Sequence, residues 1–264
     1  MKKIIKTTFA NIYDKPSFQS QVVTQGMMWE IVEVLDKKDD WIKLKLQDDY
    51  IGWTQNFFLI EVDNNFLNQT QTMEHLTIYQ PFTAIYSDDK LINKISNAAL
   101  SVRFPIIEKN NDLFKIYLPD ENIAYLTQNP IAKNDIRKNI INIAKSILGT
   151  SYQWGGKTEY GIDCSGLVQT IFSILNISVP RDASQQIKIV KNDPVKLNEA
   201  KPGDLLFFKN ENNNIVHVAI MLETPHFIHS SSEMKINSLY KKNNDFSEKL
   251  LNMLEGIYSI ESLL

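Results

Sequence analysis

Cys164 is the single cysteine of this 264-residue chain, and it stands where a thiol can work as a nucleophile. The run Tyr152-Gln153-Trp154-Gly155-Gly156 leads through Gly161-Ile162-Asp163 into Cys164-Ser165-Gly166, at the start of a segment with helical periodicity. A thiol at a helix amino terminus meets the positive end of the macrodipole and unpaired backbone N–H groups, so a low pKa is expected. The glycines on either side let backbone and substrate approach closely. A lone cysteine is more often a buried, inert side chain. A core cysteine, however, joins the apolar stripe, here Leu167, Val168, Ile171, Ile174 and Leu175, whereas Cys164 sits at the helix mouth between Asp163 and Ser165.

Such a thiol needs a base, and the chain offers only His75, His217, His226 and His229. His217 lies in Ile215-Val216-His217-Val218-Ala219-Ile220, where strand alternation puts it on one face with Ile215 and Ala219. A strand histidine taken alone is usually a hydrogen-bonded core residue. Here a turn at Glu223-Thr224-Pro225 returns the chain and delivers His229 on the next strand. From there His229 can bond the far ring nitrogen of His217 and fix its tautomer, as the third member of a triad does. His226 has the opposite strand parity, and His75 falls in another domain. The backbone N–H of Cys164 is one candidate oxyanion donor and the Tyr152 hydroxyl another, although Tyr152 reads equally well as a packing residue.

The elements that must carry these residues begin near Asn129-Pro130. There Ile136, Ile140, Ile143, Ala144, Ile147 and Leu148 share one face of a helix expected over 135–148, followed by a second over 164–175. Strand-like runs follow at 204–208, 216–222, 227–229, 235–239 and 256–264. Helices first and strands after make residues 131–264 an α+β domain. Upstream, residues 1–62 read as short β runs of a small barrel or sandwich. A polar stretch from Asp63 to Gln71 reads as a linker. Residues 70–130 repeat the short-strand style, with Asp39-Asp40-Trp41-Ile42-Lys43-Leu44 echoed by Asn111-Asp112-Leu113-Phe114-Lys115-Ile116. Two tandem β-barrels are therefore expected before the α+β domain.

Bulk composition narrows the partners. Lys and Arg total 28 against 31 Asp and Glu, a net charge of -3 with no basic cluster, which disfavours nucleic acid. Neither a secretory apolar core nor a membrane-length apolar run is legible, so a cytoplasmic, membrane-free protein is expected unless a precursor was trimmed. One cysteine excludes an internal disulfide and any zinc site of several thiolates. Cys164, His217 and His229 could together ligate zinc, but the thiol-nucleophile reading is preferred and no metal or cofactor is expected.

In combination and order, Tyr152-x-Trp154-Gly155-Gly156, Asp163-Cys164-Ser165-Gly166-Leu167-Val168, Pro202-Gly203-Asp204-Leu205-Leu206-Phe207-Phe208, His217-Val218-Ala219-Ile220 and Phe227-Ile228-His229 resemble the NlpC/P60 family of papain-like cysteine peptidases. The two β units resemble bacterial SH3-type barrels, and the whole order is similar to γ-D-glutamyl-L-diamino-acid endopeptidases that act on peptidoglycan stem peptides. The resemblance implies Cys164 as nucleophile, His217 as base, His229 as orienting residue and Tyr152 as oxyanion support. It also implies a pocket for the free amine of an N-terminal L-Ala built by Asp163, Ser165 and Asp182, with Trp154 in the substrate site and Glu30 and Tyr50 contributed by the first barrel. The implied substrate is a peptidoglycan-derived peptide such as L-Ala-γ-D-Glu-diaminopimelate, cut by a monomer. Two competing readings are an amidase or acyltransferase with the same triad, and an inactive cell-wall binding protein.

Overall fold

The computed structural model describes residues 2–131 and 135–264, and these form two compact units that divide at Ile131 and Ala132. The boundary expected at 131 borders residues 132–134, which lie outside the described residues, as does residue 1.

The first unit holds two antiparallel sheets. The first contains β1 (Lys2–Ile5), β2 (Phe9–Tyr13), β3 (Val22–Met27), β4 (Ile31–Lys38), β5 (Trp41–Lys45), β6 (Ile51–Gln55) and β7 (Leu59–Ile60), in the order β3-β2-β6-β5-β4-β1-β7. The second contains β8 (His75–Thr77), β9 (Thr83–Tyr86), β10 (Lys94–Ala98), β11 (Arg103–Asn110), β12 (Leu113–Tyr117) and β13 (Ile123–Thr127), in the order β10-β9-β13-β12-β11-β8. Alternation drives both: in β5 Leu44 is buried between the more open Lys43 and Lys45, and in β12 Phe114 and Ile116 are buried while their neighbours are half open. One apolar cluster joins the sheets, running from Ile4, Met27, Met28 and Trp29 to Ile78, Phe104 and Leu126. The Trp29 indole N–H donates to the Tyr117 carbonyl at 2.9 Å, so the buried ring keeps its polar atom satisfied.

The stretch read as a linker is instead a helix, α1 (Asn64–Thr72). The Asp63 carboxylate accepts from the backbone N–H groups of Asn65 and Phe66, and Leu67 and Thr70 supply a narrow buried face. Its polarity hid it, because a single leucine and an N-cap give little periodic signal.

The second unit is α+β. Helices α2 (Ile136–Ser146), α3 (Cys164–Ile174), α4 (Ala183–Val190) and α5 (Glu248–Met253) accompany a hairpin of β14 (Lys157–Thr158) and β15 (Gly161–Ile162). They also accompany a sheet of β16 (Pro194–Val195), β17 (Leu205–Lys209), β18 (Ile215–Glu223), β19 (His226–Ser230), β20 (Met234–Ser238) and β21 (Leu254–Tyr258), ordered β16-β21-β17-β18-β19-β20. The sequence reading missed α4 and α5, and the strand expected over 256–264 ends at Tyr258 before a short 3-10 turn. Helix α3 is buried at every position but Ser173 and packs against α2, β14, β18 and β19. An apolar helix enclosed on all sides can be held in one position, which is what its first residue requires.

Candidate active site

The turn into α3 is built around Asp163. Its Oδ1 accepts from the Gly166 N–H at 2.6 Å and its Oδ2 from the Gly155 N–H at 2.9 Å, so one carboxylate caps the helix and pins the glycine loop in front of it. The loop runs so close that a Cβ on Gly166 would lie 2.1 Å from the Gly156 carbonyl oxygen, and Gly155 adopts a left-handed φ of 78°. Cys164 follows as the first residue of α3, buried to 8% exposure. Its sulfur receives the backbone N–H groups of Ser165, on its own helix, and Val218, on β18. The Val218 N–H is free to do this because β18 and β19 pair only from Ile220↔Ile228 toward their turn, and part beyond it. The thiol therefore sits where a helix amino terminus meets a split between two strands.

The two histidines occupy that same split. Continuing the Ile220↔Ile228 register makes His217 the diagonal neighbour of His229 on one sheet face. Their Nε2 and Nδ1 atoms are 2.8 Å apart, and the rings cross at 81°. On β20, Asn237 stands opposite Phe227 and so falls on this face too, with its Oδ1 2.9 Å from His229 Nε2. Phe208 and Phe227 pack their rings against His217 and His229 at 5.4 Å each and shield the pair. His226 is elsewhere, beside Asn243 and 3.7 Å from the Asp245 carboxylate, and His75 lies exposed in the first unit.

The expected low thiol pKa is overturned. Burial, followed by the charge of Asp163, pushes Cys164 up to about 11, outweighing the two N–H groups that favour thiolate. Burial pulls His217 down to about 3, helped by His229 and Lys249. Without substrate the Cys164 thiol and the His217 imidazole are thus both neutral. Proton transfer then accompanies attack on the substrate. A raised thiol pKa means that the thiolate fraction keeps growing with pH until about 11. Alkylation of Cys164 by iodoacetamide should therefore be slow at neutral pH and rise about tenfold per pH unit from 7 to 10. A rate that is already flat below pH 7 would show a preformed ion pair instead.

Tyr152 lies near the thiol, since burial and the charges of Cys164 and Asp163 together push its hydroxyl up to about 12. It therefore stays a neutral O–H donor, the form an oxyanion needs. Trp154 is 59% exposed, an indole face open to solvent beside the glycine loop. The Ser165 hydroxyl donates to Asp163 Oδ1 at 3.2 Å. Asp182 is half-buried at the N-cap of α4, in a capping box with Gln185. Glu30 and Tyr50 belong to the first unit. There the Glu30 carboxylate accepts the N–H groups of Met27 at 3.0 Å and Gln47 at 3.1 Å, and Tyr50 packs against the apolar cluster of Ile5, Ile12 and Leu44.

Two residues escaped the sequence reading. Arg181, 2% exposed, grips Asp163 with its two terminal guanidinium nitrogens at 3.0 and 2.5 Å and also donates to Ser165 Oγ at 2.9 Å. Asp163 therefore carries its own counter-charge. An arginine directly after the apolar Val179-Pro180 was the available signal. Asn237 had none, because its part in the histidine chain depends on the register between β19 and β20. Among the described residues no cluster of three or more His, Cys, Asp or Glu side chains is arranged to hold a metal ion, and no helix is long and apolar enough to cross a membrane.

Residues 149–255 match the NlpC/P60 family and residues 12–56 the bacterial dipeptidyl-peptidase Sh3 domain. A γ-D-glutamyl-L-lysine dipeptidyl-peptidase of Bacillus cereus is 27% identical over 80% of this chain and 68% of its own length. Dipeptidyl-peptidase 6 of Lysinibacillus sphaericus is 26% identical over 98% of this chain and 100% of its own. The crystal structure of an NlpC/P60 family protein from Bacillus cereus superposes with a TM-score of 0.85 at 21% identity, covering 98% of this chain and 99% of that one. Cys164, His217 and His229 all fall within the matched span, so the thiol described above lies in an NlpC/P60 domain, which in this chain follows a bacterial dipeptidyl-peptidase Sh3 domain.

Proposed function

We propose that the protein is a cysteine peptidase that hydrolyses the bond between γ-D-Glu and the diamino acid of peptidoglycan stem peptides bearing a free N-terminal L-Ala. One observation carries the chemistry: the hydrogen-bonded His217–His229 pair shares a strand split with a thiol at a helix amino terminus. The substrate class is supported by the names of the relatives, which align with 80% and 98% of this chain.

In the proposed reaction the Cys164 sulfur attacks the γ-carbonyl carbon as its proton passes to His217. The oxyanion is held by the Cys164 N–H and the Tyr152 hydroxyl. Collapse breaks the C–N bond, and His217 gives the proton to the departing amine of the diamino acid, leaving a thioester on Cys164. Water, deprotonated by His217, hydrolyses the thioester, releasing L-Ala-γ-D-Glu and restoring the thiol.

The N-terminal ammonium binds in a pocket that includes Asp163, Ser165 and Asp182. Asp163 brings little net charge to it, being matched by Arg181, so the half-buried Asp182 supplies most of the attraction. Trp154 lies along the peptide, and Glu30 and Tyr50 are assigned to the amine by the resemblance alone. The enzyme works as a monomer on soluble fragments in the cytoplasm, in cell-wall recycling. Purified protein should release L-Ala-γ-D-Glu from L-Ala-γ-D-Glu-diaminopimelate, and N-acetylation of the substrate should lower kcat/KM by about a hundredfold or more, because Asp182 loses its cationic partner. Equal turnover of the acetylated peptide would redirect the assignment to a wall-cutting endopeptidase. Transfer to an added amine in place of hydrolysis would redirect it to an acyltransferase.

A further inference from the structure

A backbone carbonyl that no proton can reverse lies at the far end of the histidine chain. The Asp245 carbonyl oxygen accepts from the Asn237 amide Nδ2 at 2.7 Å and from the Ser238 N–H at 3.0 Å. A carbonyl oxygen can only accept, so the Asn237 amide must turn its NH2 toward Asp245 and its Oδ1 toward His229. That oxygen, also only an acceptor, needs a proton on His229 Nε2 at 2.9 Å. Neutral His229 then has a bare Nδ1, which must accept, so the proton of the 2.8 Å contact belongs to His217 Nε2. Neutral His217 is left with its lone pair on Nδ1. His229 stays neutral because burial lowers its pKa, with Lys235 acting in the same direction against the Asn237 hydrogen bond.

We infer that Asn237, oriented by the Asp245 carbonyl, is a positioning residue that sets the tautomers of His229 and His217 in series, so that His217 always presents Nδ1 as the base for Cys164. This deepens the peptidase reading and rests on it for the identity of the base. No proton moves along the chain: when His217 takes the thiol proton on Nδ1, its Nε2–H continues to donate to His229, and His229 keeps its own Nε2–H on Asn237. The relay holds the imidazolium without becoming charged itself.

The test uses the full chain labelled with 15N-histidine, whose four imidazoles are assigned by single replacements. At neutral pH the wild-type spectrum should show a pyrrole-type Nε2 and a pyridine-type Nδ1 on both His217 and His229. In Asn237→Leu both should become tautomer mixtures, and kcat should fall at least about tenfold with KM nearly unchanged. Asn237→Asp keeps an acceptor for His229 but sets a carboxylate oxygen against the Asp245 carbonyl in place of the amide donor, so its tautomer populations and kcat should fall between those of wild type and Asn237→Leu. A wild-type His217 protonated on Nδ1 would overturn the inference, as would identical tautomer populations in wild type and Asn237→Leu. The tautomers are read without substrate, so a wild-type enzyme that failed to cleave the peptide would refute the proposed function and leave the relay standing.

Discussion

Cys164→Ala should abolish release of L-Ala-γ-D-Glu, lowering kcat by roughly four orders of magnitude or more while leaving the unfolding midpoint almost unchanged. The substitution removes one sulfur from a buried site and keeps the Ala-compatible backbone of a helix start, so the Asp163 cap and the enclosed face of α3 survive. Among the described residues the sulfur's backbone partners are the N–H groups of Ser165 and Val218, and water of the opened site can satisfy both. His217→Ala should cost about as much, and the double variant little more than either single one, because the proposed mechanism makes nucleophile and base act as a unit. Chromatographic assay of dipeptide release measures this directly. Turnover by Cys164→Ala within tenfold of wild type would remove the thiol from the mechanism altogether.

The reach of sequence reasoning follows the range of the interactions. Helices α2 and α3 and strands β17 to β20 were legible within about two residues, because each carries an apolar rhythm that needs no knowledge of its neighbours. Helices α1 and α4 were not, since their stability comes from caps at Asp63 and Asp182 and from two or three buried positions. At the site, the meeting of His217 with His229 could be anticipated from one short turn and strand parity. Asn237 lies one strand further on, and its position depends on the register His229↔Lys235, which no local pattern encodes. The thiol pKa failed for a related reason. A helix terminus is visible in the sequence and favours thiolate, whereas the burial that outweighs it arises from how α3 is enclosed by β18, β19 and the glycine loop.

Arg181→Leu should be the most damaging change to stability outside the apolar core. Asp163 is buried with Arg181 as its only charged partner among the described residues, and what remains after the substitution is the Ser165 hydroxyl and the N–H groups of Gly155 and Gly166. Removing one member of a buried ion pair costs about 3–5 kcal/mol, because the other is left charged and unmatched. For a domain of this size that corresponds to a fall in Tm on the order of 10 °C. Adding Asp163→Asn should recover part of the loss, since the amide oxygen can still accept from Gly166 while the stranded charge is gone. Thermal unfolding followed by circular dichroism would report all three variants. If Arg181→Leu melted within about 2 °C of wild type, the ion pair would have no structural role. Stability and catalysis also separate here: the double variant should regain folding but not full kcat/KM, because Asp163 and Arg181 fix the turn from which Cys164 begins α3.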